Sequence, residues 1–375
     1  MAQNTNPVRV AIVGSGNIAN ARHLPAVAAQ ATPVEVVAAV DVDIDRAKDL
    51  AQQWNIPATY TDIEEMLAAE HPDIVFVCTP PVAHREAVIA CLKAGSWVWC
   101  EKPPALSIAE YDEIAQYEQD GGPYVAYVFQ HRFGSGAQQL RRQIQSGELG
   151  SPLVGVCNTL WYREPAYFDV PWRGKWATEG GGPTMGHGIH QMDLMLSLLG
   201  DWTEVRAMMG TLERSVETED VSLAAVRFES GALVSMVNSI LSPRETSYLR
   251  FDFTDATVEL THTYGYDNSS WSWTPAPHVT DESRVASWRP DEDTPSSHAA
   301  QLSELLASFA AGQRPRSSGT DGRRVLEFIA GLYQSALTGQ PVLRAELTTA
   351  NPFYYSMNGD ASVAEEALAK AGSHV

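Results

Sequence analysis

The sequence predicts an α/β protein: a doubly wound parallel sheet at the N-terminus, followed by an α+β domain with a large, open, mostly antiparallel sheet. From residue 8 to about residue 130, short apolar runs alternate with helix-length segments, which is typical of strands joined by crossover helices. Beyond residue 150, longer alternating runs separated by turns indicate antiparallel pairing. We therefore predict domains at 1–130 and 131–350, with 351–375 as a tail that packs back onto the body.

The expected elements can be placed in order along the chain. Strands of the first domain are predicted at 8–13, 34–40, 73–78, 96–100 and 123–129. Strands of the second domain are predicted at 152–160, 202–212, 221–229, 232–240 and 246–260, with helices near 297–311 and 320–338. Residues 262–296 are rich in Trp, Pro, Ser and acidic residues, and we interpret them as a long loop over the sheet.

Composition narrows the functional classes. The 375 residues exceed one ordinary domain, and the formal net charge of −20 argues against nucleic acid or an anionic membrane as a partner. The four cysteines show no Cys-x-x-Cys spacing, which is typical of free thiols in a reducing compartment. With a polar N-terminus and no 18-residue apolar run, the sequence predicts a cytoplasmic protein.

The first apolar run ends in a glycine-rich turn, Gly14-Ser15-Gly16-Asn17-Ile18-Ala19. Gly14 permits a tight reversal, and Gly16 removes the Cβ that would keep a pyrophosphate away from the main chain. Ala19 lets the next helix pack closely, so that its N-terminal amides face the phosphates. We therefore predict a dinucleotide held by Gly14, Ser15, Gly16, Asn17 and Ile18.

Asp41 stands at the end of the second predicted strand. A carboxylate there accepts both ribose hydroxyls of the adenosine half and repels a 2′-phosphate, which favours NAD and leaves NADP as the alternative. The structural alternative is that Asp41 caps the helix that starts near Asp43.

Polar residues follow two later strands. Thr79, Pro80 and His84 come after the strand at 73–78, where open α/β sheets bind ligands, although His84 also fits an ordinary first helical turn. Glu101 and Lys102 follow the strand at 96–100. A lysine ammonium beside a nicotinamide can stabilise the alkoxide from which hydride departs; otherwise Lys102 is a surface residue paired with Glu101.

The second domain contributes aromatic, arginine and histidine side chains. Trp161, Tyr162, Arg163, Trp172 and Arg173 suit a sugar or polyol, because rings pack on C–H faces while arginine binds hydroxyls or carboxylates. An interface or a structural cluster is the alternative, particularly for Trp161 and Trp176.

A glycine run at 180–182 enters a helix that carries His190, a candidate general acid/base, and glycine there would permit close approach to the cofactor. His187 and His190 are spaced like metal ligands, but no carboxylate or cysteine completes a set, so we predict no metal.

Together these motifs resemble the glucose-fructose oxidoreductase and inositol dehydrogenase family, also called Gfo/Idh/MocA. The resemblance covers nearly the whole chain and is carried by the glycine turn, Cys78-Thr79-Pro80, Glu101-Lys102-Pro103, Trp172-Arg173, the triple glycine with His190 and Asp193, and the late segment 318–322. It implies a Rossmann domain and an NAD(P)-dependent oxidoreductase acting on a ring carbinol of a sugar, inositol or related polyol.

The resemblance also implies roles for residues. Lys102 and His190 would be catalytic, and the open sheet would form a homodimer or homotetramer face. The expected cofactor contacts also include Thr79, Pro80, His84, Glu101, Lys102, Gln130, Trp172 and Arg173. The expected substrate contacts are Lys102, Arg132, Tyr162, Arg163, Trp172, Arg173, His187 and His190.

One position departs from the family pattern. Members with Lys-Asp-His catalysis usually carry an aspartate four residues before the histidine, where this chain has Gly186. Either His190 acts with Lys102 alone, or His187 or Glu179 substitutes, or the chemistry differs. His187 lies about 100° from Gly186 on a regular helix, so His187 could replace the aspartate only if the first turn is irregular.

The alternatives to a dehydrogenase are an NAD-retaining enzyme that cleaves glycosides by transient oxidation and elimination, and a non-catalytic NAD and sugar sensor.

Overall fold

The computed structural model describes residues 6–359, which form two compact units. The first comprises 6–105, 110–128 and 297–322, and the second comprises 106–109, 129–296 and 323–359. Of the predicted tail, 360–375 lie outside the described residues; within 351–359, Phe353 and Tyr354 are buried in the second unit.

The strands occur in two sheets. The first unit contains β1 (Val8–Val13), β2 (Val34–Val40), β3 (Ala58–Tyr60), β4 (Ile74–Val77), β5 (Trp97–Cys100) and β6 (Val125–Tyr127). The second unit contains β7 (Pro152–Tyr162), β8 (Trp202–Gly210), β9 (Val221–Phe228), β10 (Leu233–Ser239), β11 (Leu241–Phe253), β12 (Ala256–His262), β13 (Trp271–Pro275) and β14 (Val342–Leu343).

The α-helices follow the chain between these strands. They are α1 (Leu24–Ala28), α2 (Ile44–Trp54), α3 (Ile63–Glu70), α4 (His84–Lys93), α5 (Ile108–Ala115), α6 (Ser135–Ser146), α7 (Trp176–Glu179), α8 (Ile189–Leu199), α9 (Glu282–Ala286), α10 (His298–Ala311), α11 (Thr320–Thr338) and α12 (Pro352–Tyr355). Local chemistry sets several ends: the Asp43 and Asp62 side chains cap α2 and α3, and Gly147 ends α6 in a left-handed conformation.

The first sheet is parallel, with strand order β3-β2-β1-β4-β5-β6. This confirms the predicted doubly wound sheet, in which the order reverses between β1 and β4 and brings their carboxyl ends together. Strand β3 was not predicted, because its three residues are too few to show a period-2 pattern. Fully buried side chains such as Ile12, Phe76 and Trp99 form the core behind the strand ends.

The second sheet has the order β13-β12-β11-β7-β10-β9-β8-β14 and is antiparallel except where β10 pairs with β7. The open, mostly antiparallel sheet is confirmed. Two details were wrong: residues 246–260 span the turn between β11 and β12, and 262–296 contain β13 and α9 rather than only a loop. Trp271 and Trp273 are buried on β13, so the tryptophans of that segment belong to sheet packing.

Helix α10 packs in the first unit, although its place in the sequence put it in the predicted second domain. Its Leu302, Leu305 and Leu306 join the core that contains Ile12 and Phe76. The parallel sheet is therefore covered partly by α10, which begins 171 residues after the end of β6 (298 − 127). Within residues 6–359, no helix is long and apolar enough to cross a membrane.

Candidate active site

Gly14 and Gly16 occupy the turn after β1 in two different ways. Gly14 has φ +94°, and a Cβ there would lie 2.7 Å from the carbonyl carbon of Cys78, so only glycine fits between the ends of β1 and β4. A Cβ on Gly16 would meet no atom within 4 Å. Gly14 is thus required by the protein itself, whereas Gly16 borders open space suited to a ligand that approaches the backbone.

Asp41 fixes the conformation of this turn. Its Oδ2 accepts the backbone N–H of Ser15 at 2.9 Å, and its Oδ1 accepts the N–H of Asp43 at 3.0 Å. Asp43, not Asp41, caps α2, because the Asp43 side chain accepts the N–H of Asp45. The capping alternative for Asp41 is therefore wrong, and its carboxylate lies at the glycine turn.

A cavity of about 330 Å³ opens beside the turn. Its lining includes Ser15, Gly16 and Asn17, together with Asn20 of the following helical turn and Arg46 of α2. Three of the five predicted cofactor residues of this turn therefore line one space, whereas Gly14 and Ile18 are not part of its lining. Arg46 was missed because its relation to the turn depends on how α2 packs, not on a motif.

The segment after β4 is tied to the segment after β5 by His84. Its Nε2 lies 2.9 Å from the carbonyl oxygen of Thr79, and its Nδ1 lies 2.8 Å from that of Pro103. The ring is fully buried, and this burial lowers the pKa of His84. Both nitrogens are thus engaged by backbone, which gives His84 a positioning role in place of the predicted cofactor contact. Thr79 keeps a buried Oγ1 with no hydrogen-bond partner among residues 6–359.

Glu101 lies in a buried group with His23 and His298. Its Oε1 is 2.9 Å from Nε2 of His23 and 3.5 Å from Nε2 of His298. Burial raises the pKa of the Glu101 carboxyl, but the two imidazoles outweigh burial and hold that pKa well below its usual range. The carboxylate is therefore turned into the core, where it anchors the end of β5, and the predicted contact of Glu101 with the cofactor stays a prediction.

The same three side chains offer ligand atoms within 4.8 Å of one another, a composition that suits a metal ion. The 2.9 Å contact between His23 and Glu101 is a hydrogen bond, so these two side chains already pair with each other, while Nε2 of His298 lies 3.5 Å from the carboxylate. The group was missed because its members come from three distant segments. Lys102 follows directly, and its backbone N–H lies 3.3 Å from Glu101 Oε2.

In the second unit, the glycine run before α8 is packed inside the protein. A Cβ on Gly182 would lie 1.8 Å from the backbone oxygen of Glu219, and one on Gly181 would lie 2.0 Å from the hydroxyl of Tyr333. The Glu219 carboxylate accepts the N–H groups of Gly182 and Thr184 at 2.9 and 3.0 Å. Burial raises the pKa of Glu219 despite these bonds. These two glycines serve internal packing, not the predicted close approach to a cofactor.

The turn that enters α8 is irregular. Residues Thr184–Gly188 form a π-helical turn, and α8 begins at Ile189. Such turns are rare and frequently occur at functional sites. His190 is 2 % exposed, and its ring centroid lies 5.2 Å from that of His131 and 5.9 Å from that of Tyr264. His190 therefore packs in a group of aromatic rings, and its two neighbours there, His131 and Tyr264, were not predicted as site residues.

Predicted substrate residues gather in what we call the aromatic–arginine cluster: Trp161, Arg163, Tyr167, Trp172, Arg173 and His187. The Arg163 guanidinium lies 4.9 Å from the Trp161 ring centroid, and the Arg173 guanidinium lies 3.9 Å from that of Tyr167 and 4.3 Å from that of Trp172. The rings of His187 and Trp161 meet edge to face at 5.4 Å. Tyr167 was missed, although its place between two arginine-containing motifs is a usable signal.

Other predicted residues have different surroundings. Arg132 donates to both carboxylate oxygens of Asp193 in a buried bidentate pair that holds α8, and its predicted substrate contact stays a prediction. Tyr162 is partly exposed, with the Arg214 guanidinium 5.3 Å from its ring centroid. Trp176 packs on Tyr333, as the structural alternative for it proposed. The Gln130 amide is buried, and both of its polar atoms have no hydrogen-bond partner among the described residues.

Comparison with known proteins decides the family. Residues 8–128 match the oxidoreductase family GFO_IDH_MocA with its NAD-binding Rossmann fold, and residues 137–265 match the GFO/IDH/MocA C-terminal domain. The chain belongs to the GFO/IDH/MocA family. The resemblance predicted from the motifs is thereby confirmed, and the two matched regions correspond to the two kinds of sheet.

Members of this GFO/IDH/MocA family with known activity resemble the chain over most of its length. D-glucoside 3-dehydrogenase of Escherichia coli is 28% identical over 91% of this chain and 99% of its own. D-apiose dehydrogenase of Paraburkholderia graminis is 27% identical over 87% and 88%. The WlbA dehydrogenase of Chromobacterium violaceum, solved with NADH and UDP-GlcNAcA, has a TM-score of 0.78 and 26% identity, covering 90% of this chain and 96% of that one.

Proposed function

We propose that this protein is a nicotinamide-dependent dehydrogenase that transfers hydride between the cofactor and a ring carbinol of a sugar, inositol or related polyol. The observation that carries the proposal is the β1 turn, where Gly14 is demanded by packing and Gly16 faces open space beside Asp41. The similarity of the whole chain to sugar dehydrogenases supports the substrate class.

The first unit fits a dinucleotide on its own geometry. Backbone amides at the start of the helical turn after Gly16 suit the pyrophosphate, and the Thr79 hydroxyl has the unsatisfied polar atom that a ligand would pair. The Asp41 carboxylate favours NAD, since a 2′-phosphate beside it would be repelled. When bound, the nicotinamide supplies the hydride acceptor or donor.

Two residues carry the proton chemistry in this proposal. The Lys102 ammonium donates a hydrogen bond to the reacting oxygen and stabilises its negative charge, and His190 takes or returns the carbinol proton. The aromatic–arginine cluster packs against the C–H faces of the ring. The Gln130 amide, buried and without a partner among the described residues, is suited to a polar group of cofactor or substrate.

Absorbance at 340 nm tests the proposal with purified protein, NAD or NADP, and a panel of inositols, aldoses, glycosides and uronates, with product analysis of each reaction. We expect a rise with one substrate class and with NAD in preference to NADP. A changed product without a rise would indicate NAD-retaining glycoside cleavage. Binding of NAD and sugar with no product would indicate a sensor.

Lys102→Met gives the matched variant test, because methionine keeps the length of the side chain without its charge. We expect turnover to fall by about 1,000-fold while NAD still binds, since one charge-assisted donor to a developing alkoxide is worth several kcal/mol. Lys93→Met on the exposed end of α4 is the control and should retain full activity. Full activity in Lys102→Met contradicts the assignment.

We further propose that the protein is a homodimer or homotetramer assembled through the eight-stranded sheet. Met208 and Leu223 pair across β8 and β9, Leu233 and Val154 pair across β10 and β7, and all four are exposed. Exposed large apolar side chains on one face of a sheet are typical of an interface. Sedimentation velocity tests this, with Met208→Glu expected to weaken assembly.

The four cysteines are buried and free, which supports a reducing, cytoplasmic compartment.

A further inference from the structure

The turn into α8 has space beside Gly186, and a carboxylate lies next to that space. A Cβ on Gly186 would lie 3.5 Å from Oε1 of Glu179, an ordinary van der Waals distance. By contrast, a Cβ on Gly188 would collide with the Asn238 side chain at 2.1 Å. Within this run, position 186 is therefore where a side chain could stand, and Glu179 reaches it from α7.

Glu179 is held firmly in this position. It ends α7, it is 5 % exposed, and its Oε2 accepts the backbone N–H of Gly174 at 2.6 Å. Its Oε1 lies 3.4 Å from Nη1 of Arg173. One oxygen is thus fixed by the backbone, while the other is directed toward Arg173 and position 186, a preorganised arrangement for an acceptor.

His187 is engaged differently. Its Nε2 lies 3.3 Å from the hydroxyl of Tyr167, which also bonds Arg173, and its ring packs against Trp161. The chain Glu179, Arg173, Tyr167 and His187 forms one polar network, with the carboxylate at the Gly186 end and the imidazole at the Trp161 end. Among the candidates for the missing carboxylate, the geometry favours Glu179 over His187.

The charges of this network also select among substrates. Arg173 is paired with Glu179, Arg163 with Glu245 at 3.0 Å, and Arg132 with Asp193. Each of these arginines therefore has an acidic partner, and the buried Glu179 carboxylate would repel an acidic sugar. A neutral polyol instead offers hydroxyl donors that an anionic oxygen accepts strongly.

We propose that Glu179 is a catalytic-site carboxylate that accepts a hydrogen bond from a hydroxyl of a neutral sugar or polyol, in the place that a side chain at position 186 would occupy. This inference rests on the proposed dehydrogenase function. It assigns the substrate-facing carboxylate to α7 instead of to the turn before α8, and it makes uronates poor substrates.

Moving the carboxylate tests the proposal. Glu179→Gln keeps the shape and an acceptor for Gly174 but removes the charge, and we expect kcat/KM for the neutral substrate to fall about 100-fold. Glu179→Ala combined with Gly186→Asp returns a carboxylate to the same space, and we expect it to exceed Glu179→Ala alone by at least about tenfold. Glu217→Gln, on an exposed acid of the same unit, is the matched control and should match wild type.

The readouts separate a substrate contact from a structural role. Unfolding midpoints confirm that each variant folds, and the ratio of kcat/KM for the neutral sugar over its uronate should narrow in Glu179→Gln. Glu179→Gln within about threefold of wild type, or a double variant no better than Glu179→Ala, overturns the inference. Since wild type is assayed first on the whole panel, a wild type that oxidises nothing contradicts the dehydrogenase function instead.

Discussion

The two glycine-rich turns of this protein, one after β1 and one before α8, use the same residue for opposite purposes. In the β1 turn, Gly14 is packed against Cys78 while Gly16 borders open space. In the α8 turn, Gly181, Gly182 and Gly188 all face protein atoms, and the space beside Gly186 is bordered by Glu179. A glycine run therefore indicates close approach, but in the α8 turn it is the chain itself that approaches, whereas the space beside Gly16 in the β1 turn is open.

The difference follows from what each turn connects. The β1 turn joins adjacent parallel strands whose carboxyl ends open at the edge of the sheet, so part of it faces outward. The α8 turn is pinned by Glu219 and Tyr333, and its helix is buried along nearly its whole length. Alanine substitutions at packed glycines should therefore lower folding stability, whereas substitution of Gly16 should lower the affinity for the cofactor.

The largest effects are expected from Gly14→Ala and Gly182→Ala. Each adds a Cβ that would overlap backbone atoms, and Gly14 also has a positive φ, so we expect a loss of about 3 kcal/mol or more in the free energy of unfolding. Chemical denaturation measures this loss. Unfolding midpoints equal to wild type would show that the packing seen around these two glycines does not require them.

Gly16→Ala should leave the free energy of unfolding nearly unchanged but weaken the binding of NAD. The new methyl group meets no protein atom within 4 Å, yet it projects where the pyrophosphate must approach. We expect the dissociation constant for NAD to rise by about tenfold or more, a cost near 1.4 kcal/mol. Isothermal titration calorimetry gives the value, with Gly210→Ala as control, because its φ is not positive and the new Cβ would meet only the exposed Leu212 side chain. Unchanged affinity would remove the β1 turn from the cofactor site.

A pH-dependent effect on stability should test the packing of His262 against α8. Gln191 of α8 lies 2.6 Å from Nε2 of His262, and burial, aided by nearby His131, lowers the pKa of His262 to about 2. The unfolded chain binds this proton near pH 6.5, so folded stability should decline as pH falls below 6.5, by about 1.4 kcal/mol per pH unit for this group.

The variant His262→Gln removes that proton and gives the check. Its free energy of unfolding is measured by urea denaturation from pH 7 to 4.5. It should fall less steeply with decreasing pH than that of wild type, because the variant takes up about one proton fewer on unfolding. Identical slopes would mean that His262 already titrates freely in the folded protein.

Local patterns predicted much of the fold because they act over a few residues. The apolar run of β1 and the alternating runs of β9 and β10 each depend on neighbours in sequence. Contacts between distant segments could not be derived this way. Helix α10 belongs to the first unit because the side chains on its buried face pack there, and no local motif in the sequence predicts this packing.

The candidate site shows the same limit. Gly14, Gly16 and Asp41 follow from one continuous motif, and the structure brings them together. Glu101 and His84 were predicted from the residues next to them, whereas their contacts with His298 and Pro103, which lie elsewhere in the chain, could not be derived from those motifs. Tyr167 and His262 acquire meaning only through the sheet and turns that place them beside Arg173 and Gln191.

The return of α10 to the first unit has a consequence for synthesis on the ribosome. Until residue 311 has emerged, the nascent parallel sheet lacks Leu302, Leu305 and Leu306 of its core and the His298 partner of Glu101. The cofactor-binding unit is therefore completed only after nearly the entire second sheet has been translated. Chimeras that exchange this unit between relatives must carry residues 297–322 with it, because a cut near residue 130 severs one core into two pieces.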